Sequence, residues 1–312
     1  MNIACIEPLG ISENHFEELR KEFEQEGHSF HFHLDRKEDH DTLVERMKDA
    51  DIVIVSNIKL PETVLSACKH LKYLSVAFTG LDHIDLDYCS RHNIKVQNAA
   101  GYSTTAVSEL AVGLMIDLLR KITELDGKIR QGGSRGMFLG RELKGKTVGV
   151  VGTGAIGTAT IRLLKAFGCH ILAYNRSKHE EVVQMGIQYV SLDELLKQSD
   201  IVTLHVPLNG ETHHLISAKE LQMMKPTTLL VNTARGNVCD IDAVAYALKN
   251  GSLAGAAFDV FENEPPLSTS HPLLNVSNCV CVPHVGFATR ESFDIRADIV
   301  FDHVRTYLKA NK

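Results

Sequence analysis

Short apolar runs alternate with polar, helix-period stretches along most of the chain, and that alternation sets the class of fold. In the first hundred residues the runs at 2–6, 29–33, 51–55, 73–77 and 95–97 predict strands. The stretches at 12–26, 41–48 and 61–67 between them predict helices. Strand–helix alternation of this kind predicts a parallel sheet covered on both faces. Residues 104–129 then form one long amphipathic stretch without proline, predicted as a helix, and a loop rich in Gly and Arg follows at 131–141. A second alternating series places strands at 147–151, 170–174, 201–205, 228–232, 255–258 and 280–282, and residues 288–312 read as a final helix. One arrangement this order allows returns the last helix to the N-terminal domain, leaving two crossings between lobes and a cleft between them.

Two series of strands agree with length, because 312 residues are long for a single core. A formal net charge of −6 supplies neither a basic stripe for nucleic acid nor a polybasic segment for a membrane surface. No apolar run reaches the ~18 residues of a membrane-spanning helix. The first residues read as a strand rather than a signal peptide, so a cytoplasmic location is expected. Seven scattered cysteines suit reduced thiols. Cys279 and Cys281 share one face of a strand, a spacing unlike paired zinc ligands. His31 and His33 alternate with Phe30 and Phe32 as a half-buried strand does, and His213 and His214 read as loop residues. No metal is expected.

The strongest local signal is Gly152-Thr153-Gly154-Ala155-Ile156-Gly157, which follows an apolar strand and opens a helix predicted at 158–167. In that context Gly152 permits the tight turn, Gly154 lets the backbone approach a pyrophosphate, and Gly157 lets helix and strand pack closely. The free N–H groups of the helix N-terminus then face the phosphates. About 20 residues past the loop, where an acidic residue would take the ribose hydroxyls of NAD, stands Asn175, followed by Arg176, Ser177 and Lys178. Losing the carboxylate removes repulsion against a 2′-phosphate, and the basic residues and hydroxyl could bind one. The expected cofactor is therefore NADP in preference to NAD.

Three further stretches end apolar runs with polar residues: Leu230 to Gly236, Ala257 to Pro265, and Val282 to Gly286. Ligands of open parallel sheets bind at the carboxyl ends of strands, so Arg235, Glu264 and His284 could converge there. A guanidinium can hold a carboxylate with two parallel charge-assisted hydrogen bonds. A histidine beside a carboxylate can donate a proton near neutral pH.

In combination these motifs resemble the D-isomer-specific 2-hydroxyacid dehydrogenase family over nearly the whole chain. The resemblance takes in Thr79-Gly80-Leu81-Asp82, Thr104 to Glu109, the glycine loop, His205-Val206-Pro207-Leu208 and Met224-Lys225-Pro226. It continues through Asn232 to Gly236, Gly255 to Pro265, and Pro283-His284. It implies two doubly wound parallel-sheet α/β domains. These are a flavodoxin-like substrate domain at 1–98 and 289–312, and a Rossmann NAD(P)-binding domain at 99–288. The implied reaction is hydride transfer between NAD(P)H and a small 2-keto acid or D-2-hydroxy acid. Arg235 would hold and polarise the keto acid, His284 would be the general acid/base, and Glu264 would orient it. Backbone around Thr79 and Gly80 would help bind the substrate carboxylate. Thr104, Gly152, Gly154, Ala155, Ile156, Gly157, Asn175, Arg176, Ser177, His205, Val206, Pro207, Thr233, Ala234, Arg235, Asp259, His284 and Gly286 would contact the cofactor.

The family also implies a homodimer, much of its contact supplied by the long helix after Thr104. Asn175 departs from the family's frequent Asp. Ser56, Asn57, Ile58 and Leu81 are the expected readers of the substrate side chain, with glyoxylate or hydroxypyruvate the first expectation. The alternatives are a cofactor-sensing corepressor-like binding protein, for which long terminal extensions are expected, and a formate or phosphite dehydrogenase of the same fold.

Overall fold

Strands such as Ile52-Val53-Ile54-Val55 and Leu229-Leu230-Val231-Asn232 are buried along their whole length. Strands in a parallel sheet lying between two helical layers must be apolar on both faces. A computed structural model describes residues 1–263 and 266–311. The chain divides into two compact units, Met1–Ser103 with the chain from Ala288 onward, and Thr104–Phe287.

In the first unit the strands are β1 (Asn2–Cys5), β2 (Ser29–Phe32), β3 (Ile52–Val55), β4 (Tyr73–Val76) and β5 (Lys95–Asn98). All pair in parallel, in the order β2-β1-β3-β4-β5. That is the flavodoxin-like order, whose switch point lies between β1 and β3. The helices α1 (Glu13–Gln25), α2 (His40–Met47), α3 (Glu62–Leu65) and α4 (Leu86–Arg91) connect them. Side chains at Ser12, Asp39 and Asp85 cap the first amides of α1, α2 and α4.

The second unit holds α5 (Thr104–Arg120), α6 (Ile122–Arg130), β6 (Thr147–Val151), α7 (Ala155–Ala166), β7 (His170–Tyr174), α8 (Glu180–Gln184) and β8 (Gln188–Tyr189). It continues with α9 (Leu192–Gln198), β9 (Ile201–Leu204), α10 (Ala218–Met223), β10 (Leu229–Asn232), α11 (Ile241–Asn250), β11 (Gly255–Phe258) and β12 (Cys279–Cys281). The parallel order β12-β11-β10-β9-β6-β7-β8 is the Rossmann order carried one strand further, with its switch point between β6 and β9. The last helix, α12 (Arg290–Ala310), belongs to the first unit. There Phe301 joins Phe16, Phe23 and Phe30 in one aromatic cluster, and Tyr307 stacks on Tyr73 at 4.4 Å.

Each predicted strand forms within a residue or so of its expected bounds, and β8, only two residues long, has no counterpart in the sequence pattern. Residues 104–129 do not form one helix. Lys121 takes a left-handed conformation at φ 52° and breaks the run into α5 and α6. The two halves also differ in burial. Ala111, Val112, Leu114, Met115 and Leu119 of α5 are buried within the unit, whereas α6 buries none of its residues. The helix predicted to begin at 158 begins instead at Ala155, directly after the second glycine of its loop.

Candidate active site

The glycine loop takes its shape from three different demands. Gly152 sits at φ +95°, and a Cβ there would lie 2.6 Å from the His205 carbonyl oxygen. A Cβ on Gly157 would lie 2.0 Å from the Gly152 carbonyl oxygen, so α7 can cross the strand this closely only with glycine. Gly154 is the opposite case, with nothing within 4 Å of its Cβ position. The open side of the turn lies where α7 begins, and no side chain caps that helix. Uncapped amides at a helix N-terminus beside bare backbone suit an anionic pyrophosphate.

Two buried polar atoms beside this loop lack partners among the described residues: His205 Nδ1 and Thr233 Oγ1. They follow β9 and β10, which pair Leu204 with Asn232, so they lie on neighbouring strand ends. His205 keeps part of its surface, but its enclosed ring is driven to a pKa of about 4 by burial and is neutral near pH 7. Its Nε2 lies 3.0 Å from Thr203 Oγ1. Orphaned polar atoms at the carboxyl edge of the sheet fit a ligand that supplies their hydrogen bonds.

Further along that edge, a pocket of ≈ 270 Å³ is lined by Asn175, Arg176, Ser177, Val206, Pro207 and Glu211 together with neighbouring side chains. Asn175 Nδ2 donates to the Ser177 carbonyl at 2.8 Å, fixing the turn after β7. Arg176 is largely exposed and 3.5 Å from Glu211. Lys178, exposed, is absent from this lining. Glu211 was invisible to sequence reasoning because it lies more than thirty residues away from the turn it faces.

The loops after β10, β11 and β12 carry the candidate chemistry, and these strands are consecutive in the sheet. Buried Asn232 shapes the first loop: its Oδ1 accepts from Ala234 N at 3.0 Å, and its Nδ2 donates to the Arg235 carbonyl at 2.9 Å. Gly236 comes next because a Cβ there would lie 1.9 Å from the Phe261 carbonyl carbon. The Arg235 turn is thereby pressed against the chain leaving β11. Arg235 itself is half-buried, with Nη1 donating to the Ala234 carbonyl at 2.8 Å.

Asp259, 2% exposed, ends β11 and holds the third loop. Its carboxylate accepts from Val285 N at 2.7 Å and Gly286 N at 2.9 Å, and its carbonyl accepts from His284 N at 2.8 Å. A side chain on Gly286 would meet that carboxylate, its Cβ 2.7 Å away. His284 is held at φ 53°, a left-handed conformation costly for a residue other than glycine, with its ring edge-on to Phe287. The expectation for Asp259 was a cofactor contact; the structure adds this brace on the histidine loop. Glu264 lies outside the described residues. Nearby, Glu262 accepts from His271 Nε2 at 3.2 Å while His271 Nδ1 accepts from Leu273 N, a brace that the sequence pattern did not disclose.

Thr79 and Gly80 belong to the first unit, in the bend after β4, where Asn98 Nδ2 donates to the Thr79 carbonyl at 2.6 Å. Of Ser56, Asn57 and Ile58, only Asn57 is accessible; Ile58 is buried and Ser56 Oγ accepts from Arg296. Leu81 is half-buried. Thr104 opens α5 in the second unit. The Cys279 and Cys281 thiols stand side by side at 3.7 Å on β12. Among the described residues no group of three or more His, Cys, Asp or Glu could hold a metal ion. No described helix is long and apolar enough to cross a membrane.

Comparison with known proteins meets this geometry. The family model described as "D-isomer specific 2-hydroxyacid dehydrogenase, NAD binding domain" matches residues 112–286. A glyoxylate reductase of Thermofilum pendens is 42% identical over 271 residues, covering 85% of this chain and 79% of that protein. A glyoxylate reductase of Thermococcus litoralis is 38% identical over 277 residues, covering 86% and 83%. The crystal structure of a glyoxylate reductase from Paecilomyes thermophila superposes with a TM-score of 0.89 at 30% identity, covering 100% of this chain and 96% of that one.

Proposed function

The chain belongs to the D-isomer specific 2-hydroxyacid dehydrogenase family and is an NAD(P)-dependent oxidoreductase acting on 2-keto acids, and we propose that its substrates are glyoxylate and hydroxypyruvate, reduced with NADPH. The observation that carries the cofactor half of this reading is the pocket after β7. Arg176 and Ser177 line it, and the position that would hold the ribose-binding carboxylate of NAD is Asn175. The substrate half rests on the glyoxylate reductases among the relatives.

In this reading residues 99–288 are the nucleotide domain, with the pyrophosphate on Gly152, Gly154, Ala155, Ile156 and Gly157. His205, Val206, Pro207, Thr233, Ala234 and Gly286 line the rest of the nucleotide path, Thr104 touches it, and residues 1–98 with 289–312 form the substrate domain. Reduced nicotinamide, when bound, supplies the hydride. Arg235 holds the keto acid carboxylate and polarises the carbonyl through charge-assisted hydrogen bonds. His284 delivers a proton to the carbonyl oxygen as negative charge gathers there. Glu264 favours the charged imidazole by its own charge, and Asp259 holds the histidine loop in place. Amides around Thr79 and Gly80 complete the carboxylate site.

A homodimer is part of the proposal, with its contact on the segment after Thr104, where α6 and the loop behind it add exposed apolar side chains to those faces of α5 that are not buried. Ile122 and Ile129 are more than half exposed there, and Met137 and Leu139 are 95% and 82% exposed. Exposed apolar side chains concentrated in one stretch of chain support a contact there. Light scattering after gel filtration tests it: a monomer mass at micromolar concentration would refute the dimer. Oxidation of NADPH and NADH, followed at 340 nm with glyoxylate, hydroxypyruvate, pyruvate, phenylpyruvate and 2-ketoisocaproate, tests the catalytic reading. The expected result is highest kcat/KM with NADPH and the two smallest polar keto acids. Preference for NADH, or for a bulky apolar keto acid, would refute it.

A further inference from the structure

The first unit buries a carboxylate at the carboxyl edge of its sheet. Glu7, just after β1, is 1% exposed. Its Oε1 accepts from three consecutive amides, Ser56 N at 2.7 Å, Asn57 N at 3.1 Å and Ile58 N at 3.2 Å. Its Oε2 takes Arg36 Nη1 at 2.5 Å, and that nitrogen also donates to Asn57 Oδ1 at 2.7 Å. From α12, Arg296, 3% exposed, reaches Ser56 Oγ at 2.9 Å and the Leu9 carbonyl at 2.7 Å, its guanidinium 4.3 Å above the Phe293 ring. Burial draws the Glu7 carboxyl above the usual carboxylate range, against the opposing pull of Arg36 and the Ser56 and Ile58 amides.

A buried carboxylate is costly unless its lone pairs are filled. Here the residues filling them are one three-residue turn and the arginine that also holds its central side chain. A turn that needed only to reverse the chain could close on backbone bonds alone. The place matters as well: β1 and β3 flank the switch point of the β2-β1-β3-β4-β5 sheet, the crevice where open α/β sheets bind ligands. Of the turn's side chains only Asn57 is not buried.

We propose that Glu7 is a positioning residue. It sets the backbone of Ser56–Ile58, and with Arg36 the Asn57 amide, so that the turn selects the group beyond the keto carbon of a short 2-keto acid. This rests on the reading that the turn faces substrate. Preorganisation by a buried, locked second residue is how a loop acquires selectivity.

Three single variants of the full chain test it by steady-state kinetics with glyoxylate, hydroxypyruvate and 2-ketoisocaproate, with melting and circular dichroism alongside. Glu7→Gln keeps one acceptor oxygen and removes the charge. It is expected to raise KM for the two small substrates about tenfold, the scale of one weakened charge-assisted bond. Its discrimination against 2-ketoisocaproate should fall, with kcat and the KM for NADPH within about twofold of the parent. Arg36→Ala acts from the half-exposed side and is expected to shift KM the same way by a smaller factor. Asn57→Ala probes the turn's contact with substrate directly.

If Asn57→Ala alters selectivity while Glu7→Gln and Arg36→Ala leave KM and discrimination at parental values, the turn reads substrate without help from Glu7 and the proposal is wrong. If all three leave selectivity unchanged, the turn does not face substrate and the proposal falls with that reading. If Glu7→Gln lowers kcat, both affinities and the folded fraction together, while a well-folded Arg36→Ala keeps parental KM, Glu7 serves only the fold.

Discussion

Replacing Asp259 by Asn isolates the brace on the histidine loop. The substitution keeps size and one carbonyl oxygen, so one of the Val285 and Gly286 amides retains an acceptor. The other, now at 2.7 or 2.9 Å from a carboxylate oxygen, meets an NH₂ group instead. A hydrogen bond to a charged group contributes about 1.5–3 kcal/mol. The loop it restrains stores strain, because His284 sits at φ 53° in a conformation costing on the order of 1–3 kcal/mol. Relaxation of that strain and loss of the bond act in the same direction, since both favour a displaced loop. Taking the bond alone, at 1.4 kcal/mol per decade, the equilibrium between held and displaced loop shifts about 10- to 100-fold toward displacement, which sets the upper limit on the fall in the fraction with His284 in place. Rates with saturating keto acid and NADPH at 340 nm report that fraction as kcat, and fluorescence titration reports NADPH affinity. The expectation is kcat lowered by up to about 100-fold, with NADPH Kd changed by a smaller factor than kcat. An Asp259→Asn variant with parental kcat, or one in which only NADPH Kd moves, refutes the brace and leaves Asp259 as a cofactor contact.

His284→Ala should lower kcat by roughly 10²–10⁴, the scale of a positioned proton donor, and an unchanged kcat removes it from that role. Arg176→Ala should cut the NADPH-to-NADH ratio of kcat/KM by about tenfold, while Glu211→Gln, which frees Arg176, should raise it; opposite signs would overturn the 2′-phosphate assignment. Gly157→Ala forces a Cβ to 2.0 Å from backbone and should cost about 1–3 kcal/mol, lowering Tm by about 2–12 °C. A melt within a degree of the parent would show that α7 can shift. His205, with its pKa depressed from 6.5 to about 4, binds fewer protons folded than unfolded, so stability is lost as pH falls across that interval. His205→Asn should flatten the denaturation midpoint against pH there, and an unaltered slope would place the effect elsewhere.

Much was legible along the chain. Strand runs and the glycine spacing are local properties: a segment buried on both faces must be apolar, and a tight turn under a crossing helix admits only glycine. The short β8 was not legible, because two residues carry no period, and neither was the break at Lys121, since a single left-handed residue leaves the amphipathic pattern on either side intact. Arg235 and His284 were readable as residues after strands. Their supports were not. Asp259 lies twenty-five residues before His284, and the Glu262–His271 brace closes a loop with no periodic signal.

Glu7 makes the division plainest. In sequence it is one acidic residue after an apolar run, indistinguishable from a solvated strand end. It becomes a buried carboxylate holding three amides only because β1 and β3, about fifty residues apart in the chain, pair side by side. The order of elements, the sheet type and the phosphate-binding turn follow from local patterning, which depends on near neighbours alone. Which charges are buried, which loops are held, and which strand ends meet at a switch point depend on contacts between distant segments, and those exist only once the sheets have formed.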